Sequence, residues 1–286
     1  MHNPATSLCQ LSQSVRSKAK SRSLDWSVFF LLTVGVTAAW AGVAQAESPE
    51  TAPPQLKDTL TQIDAAANRR DAQGVMQFYG AKFKNSDGLT RASMEQALSQ
   101  LWKRYPQLTY RTQLKDWKTE GNAIVAETVT SITGTQTSGS ATMKLESTMR
   151  SRQRFESQKI VQQEILAERT QLTSGANPPN VQVNLPERVG VGQEFNFDVI
   201  VKEPLGDNLL LGTALEEAIK PELYTKEPKF KLDLLPAGGI FKLGKAPNAK
   251  EDHWISAVLI RGDGMTMVTQ RLKVVDRASA STAPSK

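Results

Sequence analysis

The sequence predicts an α+β chain in two parts, three amphipathic helices with a four-stranded curved antiparallel sheet, then an all-β sandwich. Three observations predict it. Apolar residues recur at helical spacing between Leu56 and Tyr105, and the period changes to two at Leu108 and holds to residue 172. Beyond Thr173 to Asn180 the chain alternates as strands do, with one short helical interruption. At 286 residues the chain exceeds one usual domain, and two packed units with a removable N-terminus account for its length.

In the first helix Leu56, Leu60, Ile63 and Ala67 fall on one stripe and leave Lys57, Asp58 and Gln62 to water. Arg69 and Arg70 close it at the negative end of its dipole. Asp71 is a good N-cap for a short second helix buried on Ala72, Val75, Met76 and Tyr79, which Gly74 weakens and Gly80 ends. Thr90 caps the third helix, with Leu89 and Met94 at the staple positions. Met94, Ala97, Leu98, Leu101, Trp102 and Tyr105 share one face of it until Pro106 stops it.

Strands are predicted near 108–117, 122–134, 140–155 and 159–172, with breaks short enough to make neighbours antiparallel. Leu108, Tyr110, Thr112 and Leu114 alternate with Arg111, Gln113 and Lys115. Leu145 and Met149 alternate with Lys144, Glu146, Arg150, Arg152 and Arg154. One face is therefore polar, and the three helices are expected on the other.

The run Ala66-Ala67-Asn68-Arg69-Arg70-Asp71 leads into Val75-Met76-Gln77-Phe78-Tyr79 and Phe83, then a helix after Thr90, then four strands. Over residues 56–172 this order resembles the nuclear-transport-factor-like, or SnoaL-like, superfamily of α+β cones. The resemblance implies a pocket-bearing cone over 55–172. It says little of activity, because that superfamily holds isomerases, dehydratases, lyases, transport factors and non-catalytic pocket domains.

Residues 173–180 read as a linker, and 181–276 as a β-sandwich that resembles an immunoglobulin-like domain. Phe195, Phe197, Val199 and Val201 alternate with polar residues, as do Phe230, Leu232 and Leu234. Trp254, Val258 and Ile260 are expected to pair with Val268, Leu272 and Val274 across a tight turn at Arg261-Gly262-Asp263-Gly264. A helix is expected near Ala214 to Ile219, and 277–286 as a disordered tail.

Residues 1–46 read as an export signal: Arg16, Lys18, Lys20 and Arg22 precede the apolar run Trp26 to Val43, which ends in Ala44-Gln45-Ala46. Cleavage is expected after Ala46; the length of the run leaves an uncleaved signal anchor as the alternative. Either way the body of this bacterial chain is expected outside the cytoplasm, in a periplasm, a thylakoid lumen or the extracellular space. Residues 47–54 read as a proline-rich tether. The one cysteine, Cys9, precedes the apolar run, so the processed chain has neither a disulfide nor a cysteine nucleophile. Without the first 46 residues, 31 basic and 28 acidic residues remain, a net charge of +3 that argues poorly for nucleic acid.

Candidate chemistry is sparse. Glu127, between Val125 and Val129, would act as a base if it faced a dry cavity, though the opposite face through Ile124, Ala126, Thr128 and Ile132 is equally apolar and turns it outward. Asp64 on the first helix is the other candidate base. Tyr79, Trp102, Tyr105, Tyr110 and Trp117 are the candidate ligand-pocket residues, or else core. Arg150, Arg152 and Arg154 form a basic stripe for an anion or partner, or else a solvated face paired with carboxylates. His253 beside Glu251 and Asp252 reads as a solvent-facing loop cluster, so no metal set is expected and no cofactor either.

The sequence therefore reads as an exported, non-catalytic binding or interaction protein. Its rivals are a cofactor-independent lyase or isomerase acting on a small hydrophobic molecule, with Glu127 or Asp64 as base, and a structural protein of the cell envelope. The partners expected are a small hydrophobic ligand, an envelope protein or a second copy of the chain.

Overall fold

In a computed structural model the chain is described over residues 46–277, apart from 139–140, 205, 207–208, 227–228 and 236–237. The export signal through Gln45, with Cys9, and the tail from residue 278 lie outside the described residues. Among the described residues no helix is long and apolar enough to cross a membrane.

The helices follow the sequence closely. α1 (Pro54–Asn68) starts with proline at its first position, where no N–H is needed, and buries Leu56 and Leu60. α2 (Ala72–Met76) is capped by Asp71, whose Oδ1 accepts from the Gly74 N–H at 2.8 Å. A Cβ on Gly74 would stand 2.2 Å from that carboxylate, so the glycine that weakens the helix also lets the cap close. The chain then differs from expectation: Tyr79 does not extend α2 but opens β1 (Tyr79–Asn85), which delivers Phe83 to the core. α3 (Arg91–Arg104) has a capping box between Thr90 and Ser93.

β2 (Leu108–Glu120), β3 (Ala123–Ser138), β4 (Ala141–Glu156) and β5 (Lys159–Gly175) form an antiparallel meander. Their inward rows and the helices share two adjoining apolar clusters, one around Leu60, Trp117 and Phe155, the other around Met76, Trp102 and Leu108. The segment read as a tether joins the first cluster. Ala52 is buried there, Glu47 pairs with Trp117, and the Trp117 Nε1–H reaches the Ser48 carbonyl and the Thr51 hydroxyl at 3.1 Å. Two indole-edge hydrogen bonds hold what composition alone would leave loose.

The remaining strands are β6 (Val181–Asn184), β7 (Arg188–Gly190), β8 (Glu194–Val201), β9 (Leu211–Ala218), β10 (Asp233–Leu234), β11 (Gly239–Lys245), β12 (His253–Arg261) and β13 (Gly264–Val275). Between β9 and β10 lies a 3-10 turn (Pro221–Thr225). β9 occupies the place of the expected helix near Ala214. Leu, Ala and Glu favour a helix locally, but β9 pairs with β12 from Leu211 to Ala218, and a full ladder outweighs propensity.

The expected turn forms, with Arg261 opposite Gly264, but the register differs from the one read in the sequence. Trp254 faces Arg271 and Val258 faces Met267, so Val268 and Leu272 lie with Ala257 and His253 on the other side. Both faces of this hairpin are apolar, and a one-residue slip exchanges them.

The boundary between the halves differs most. Residues 173–175, read as the start of a linker, are the end of β5, and β13 pairs with β5 from Gly264↔Gly175 to Gln270↔Arg169. The first part of β5 is paired in parallel by β1 instead. One sheet therefore runs in the order β10-β9-β12-β13-β5-β4-β3-β2, and all described residues belong to one compact unit. Gly175, at φ 97°, makes the junction possible, because a Cβ there would lie 2.5 Å from the Asp263 carbonyl oxygen in the hairpin turn. A second sheet, β11-β8-β6, shares a core with β12 and β13 through Phe197, Val199, Leu259 and Leu272.

Candidate functional site

Around the helices, the expected pocket residues fill space. Trp102 and Tyr110 are buried edge to face with ring centroids 6.2 Å apart, and the indole N–H donates to the Tyr110 hydroxyl at 2.8 Å. Burial pushes the Tyr110 hydroxyl up to about 12, against smaller opposing effects of Trp102 and Arg70. Tyr79 stacks edge to face on Phe83 at 4.8 Å, Tyr105 packs against the cluster of Trp102, and Trp117 closes the cluster above Ala52. None of the five lines either cavity described below.

Asp64 is engaged by β2. Its two oxygens accept from the Thr112 N–H at 2.6 Å and the Thr112 hydroxyl at 2.7 Å, which ties α1 to the sheet. Glu127 points to the outer face of the sheet, where Arg152 Nε donates to it at 3.1 Å.

The outer face carries a trench of about 520 Å³ lined by Asp116, Lys118, Glu120, Glu127, Arg152 and Arg154 among others. Each arginine of the stripe meets a carboxylate. Arg150 reaches Glu187 at 3.3 Å, Arg152 bridges Glu127 and Glu164, and Arg154 bridges Glu120 and Glu156. Asp116 stands directly across from Glu127, and burial together with that like charge raises its carboxyl above the ordinary value. A second opening of about 440 Å³ lies near Arg70, Gln107 and Lys144. The first gathers carboxylates and cations that pair with one another, and the second is lined by Arg70 and Lys144 without a carboxylate.

His253 differs from expectation. It begins β12 rather than standing in a loop, its side chain is largely covered, and Nδ1 lies 2.7 Å from Glu216 on β9. Among the described residues no group of three or more His, Cys, Asp or Glu is placed to hold a metal ion.

The polar centre that sequence reading missed lies where the two halves join. Arg271 on β13 has a fully buried side chain and donates to both oxygens of Asp87, at 3.0 and 2.7 Å, in the turn before α3. It also meets Asp252 at 3.2 Å and Glu168 at 3.3 Å. The Tyr224 hydroxyl donates to Asp87, and Trp254 Nε1 donates to Glu168 at 3.0 Å. Burial alone would raise the Asp87 carboxyl, but the hydrogen bonds and charge of Arg271, helped by Tyr224 and Ser86, bring it below the ordinary value. Burial and the charges of Glu168 and Asp87 drive the Tyr224 hydroxyl up and keep it protonated as a donor. The cluster ties the turn before α3 to β5, β12 and β13.

The opposite character appears at the far edge of the sheet. Leu209, Leu211, Leu232, Leu234, Phe241 and Leu243 are exposed, and all lie between residues 209 and 243. β10 edges the large sheet, β11 edges the small one, and β11 lies beside β9. Exposed Lys229, Lys231, Lys242 and Lys245 are interleaved with these apolar residues, and none has an ion-pair partner among the described residues. A sequence signal existed in Phe241-Lys242-Leu243, which alternates without a polar outer face.

Residues 176–275 match a family described as a domain of unknown function, DUF8623. No curated protein matches the sequence. Among solved structures the chain is similar to an uncharacterised cystatin-fold protein from Novosphingobium aromaticivorans, at 15% identity over 40% of this chain and 98% of that one, with a TM-score of 0.29. It is similar to an NTF2-like protein of unknown function from Cytophaga hutchinsonii, at 10% identity over 40% and 91%, with a TM-score of 0.25. It is also similar to an LEH-like epoxide hydrolase from Mycobacterium tuberculosis, at 10% identity over 39% and 80%, with a TM-score of 0.27.

Proposed function

We propose that the protein is an exported, non-catalytic interaction module. In this reading a nuclear-transport-factor-like cone of three helices and a curved sheet serves as a rigid support for an immunoglobulin-like sandwich, whose free side meets another protein outside the cytoplasm. The observation that carries the reading is the set of six large apolar side chains exposed between residues 209 and 243, because exposed apolar surface is costly in a free chain and marks a contact site. The engagement of Asp64 by Thr112 and of Glu127 by Arg152 supports the non-catalytic part. A small hydrophobic ligand would need the packed rings of Trp102 and Tyr110 to part, which favours contact at the surface over binding within the cone.

A photo-crosslinking residue in place of Leu243, in cells of the native host, tests this. A discrete adduct with another protein is expected there and not from the exposed position Arg111 on β2. Equal labelling from both positions, or none from Leu243, would remove the reading.

A further inference from the structure

We infer that the open edge of β11 takes up an extended, acidic segment of a partner protein as an added strand; the inference rests on the interaction reading and names the chemistry of the partner. β11 pairs with β8 from Gly239↔Ile200 to Lys245↔Glu194, and no described strand lies on its other side. Among the described residues the N–H and C=O groups on that edge have no main-chain partner, the template that strand addition uses.

The side chains say what the added strand must carry. Phe241 and Leu243 are 54% and 68% exposed and lie opposite Asp198 and Asn196, on the face turned away from the shared core. Lys242, opposite Phe197, projects to the other side, and Lys245 closes the strand. A partner strand that alternates apolar residues with aspartate or glutamate would cover Phe241 and Leu243 on one face and neutralise Lys242 on the other, with an acidic residue at its end meeting Lys245, which lies opposite Glu194 on the face of Phe241 and Leu243. Lysine on an edge ordinarily blunts association, but an edge meant only to be blunted would not expose a phenylalanine and a leucine on either side of Lys242.

Two other occupants fit less well. A lipid bilayer would receive the apolar side chains, but hydrocarbon satisfies no main-chain donor or acceptor, so an open strand edge is costly there. A second copy pairing edge to edge would bring no carboxylate to Lys242 or Lys245, because Gly239–Lys245 carries none. An acidic strand meets both demands.

The probe is a fluorescein-labelled, N-acetylated octapeptide of alternating valine and glutamate, titrated against the full chain by anisotropy, with hydrogen exchange followed over residues 239–245. Saturable binding and slowed exchange across 239–245 are expected. The pair Lys242→Glu and Lys245→Glu should weaken binding by at least about tenfold and shift preference to a valine–lysine peptide. An N-methylated version of the first peptide should not bind. Absent binding, binding without protection of 239–245, or binding indifferent to charge reversal overturns the proposal. So does protection of 239–245 by anionic phospholipid vesicles, or by raised protein concentration alone, in place of the peptide. If Leu243 crosslinks to a protein while the peptide fails these tests, the interaction reading stands and the strand-addition proposal falls.

Discussion

Arg152 and Arg271 carry the same guanidinium and meet carboxylates at similar distances, yet they do different work because water reaches only one of them. Arg152 lies on the outer face of β4, 47% of its side chain exposed, between Glu127 and Glu164. Arg271 has no exposed side-chain area and holds Asp87 from before α3, Glu168 from β5 and Asp252 from beside β12. Solvent screens the first set, and double-mutant measurements on such pairs give little stability. In the second set the removal of one partner strands a buried charge, and that cost falls on the junction of the two halves. A row of arginines visible in a sequence is thus a poor guide to where charge matters; the single arginine of β13, whose side chain is wholly buried, matters more.

The largest expected effect comes from cutting the chain between the two regions. A fragment of residues 46–172 keeps the Arg152 face intact but removes the β13 partner of β5 and leaves Asp87 and Glu168 without Arg271. It is expected not to fold alone, and the complementary fragment 176–277, with Arg271 uncovered, is expected to fare no better. Amide spectra of the two fragments check this. Well-dispersed spectra from either would mean that the shared sheet is dispensable and that the halves are separable domains.

Next in size is Arg271→Ala, expected to cost roughly 3–5 kcal/mol by uncompensating Asp87, Glu168 and Asp252. Calorimetry carries a second signature. Because β5 and β13 still share one sheet and neither half is expected to fold without the other, the variant should still unfold in a single transition, at a lower temperature. A single transition lowered by less than about 1 kcal/mol would place Arg271 with the surface arginines.

How much of this was legible in the sequence differs between the two regions for the same reason. The outer face of β4 announces itself through Arg150, Arg152 and Arg154 at strand spacing, and strands β2 to β5 were read within a few residues of their ends, because local periodicity encodes both. The capped helix α3 and the turn at Gly262-Asp263 were legible by the same local chemistry. What was not legible is all long range. β1 pairs in parallel with β5, β9 is a strand only because β12 lies beside it, and β5 continues past residue 172 only because β13 covers it. Asp87 sits in Asn85-Ser86-Asp87-Gly88, which reads as a turn for sufficient local reasons, and its partner stands 184 residues away. The aromatic candidates were recognisable as inward-facing, but periodicity does not distinguish the wall of a cavity from a filled core.

Acid offers a graded way to weaken the buried cluster. Asp87 has a folded-state carboxyl below its ordinary value, so its contribution is full above the unfolded value of about 3.9 and is lost as pH falls through the folded value. Urea midpoints are therefore expected to fall below about pH 4, and Asp87→Asn should lower stability at pH 7 while flattening that acid limb. An unchanged acid limb in Asp87→Asn would assign it to other carboxylates.

The smallest effects belong to the exposed trench, where the pH dependence at Asp116 carries the opposite sign to that at Asp87. Asp116 faces Glu127 across β2 and β3, and burial together with that charge lifts its carboxyl above the ordinary value. A raised folded-state value means that the native chain holds this proton more tightly than the unfolded chain, so ionised Asp116 opposes folding near neutrality and the penalty fades as pH falls. Asp116→Asn should therefore leave stability unchanged or raise it by a few tenths of a kcal/mol at pH 7. Arg152→Ala should cost no more than about 1 kcal/mol, since both of its carboxylate partners retain water. It should also lift Asp116 further, because Arg152 is the first of the two cations that offset Glu127 there. An NMR titration of Asp116 in wild type and Arg152→Ala, alongside urea midpoints at pH 7, measures both. A loss from Arg152→Ala as large as that from Arg271→Ala would mean that the trench is as closed to water as the junction, and the contrast between the two arginines would collapse.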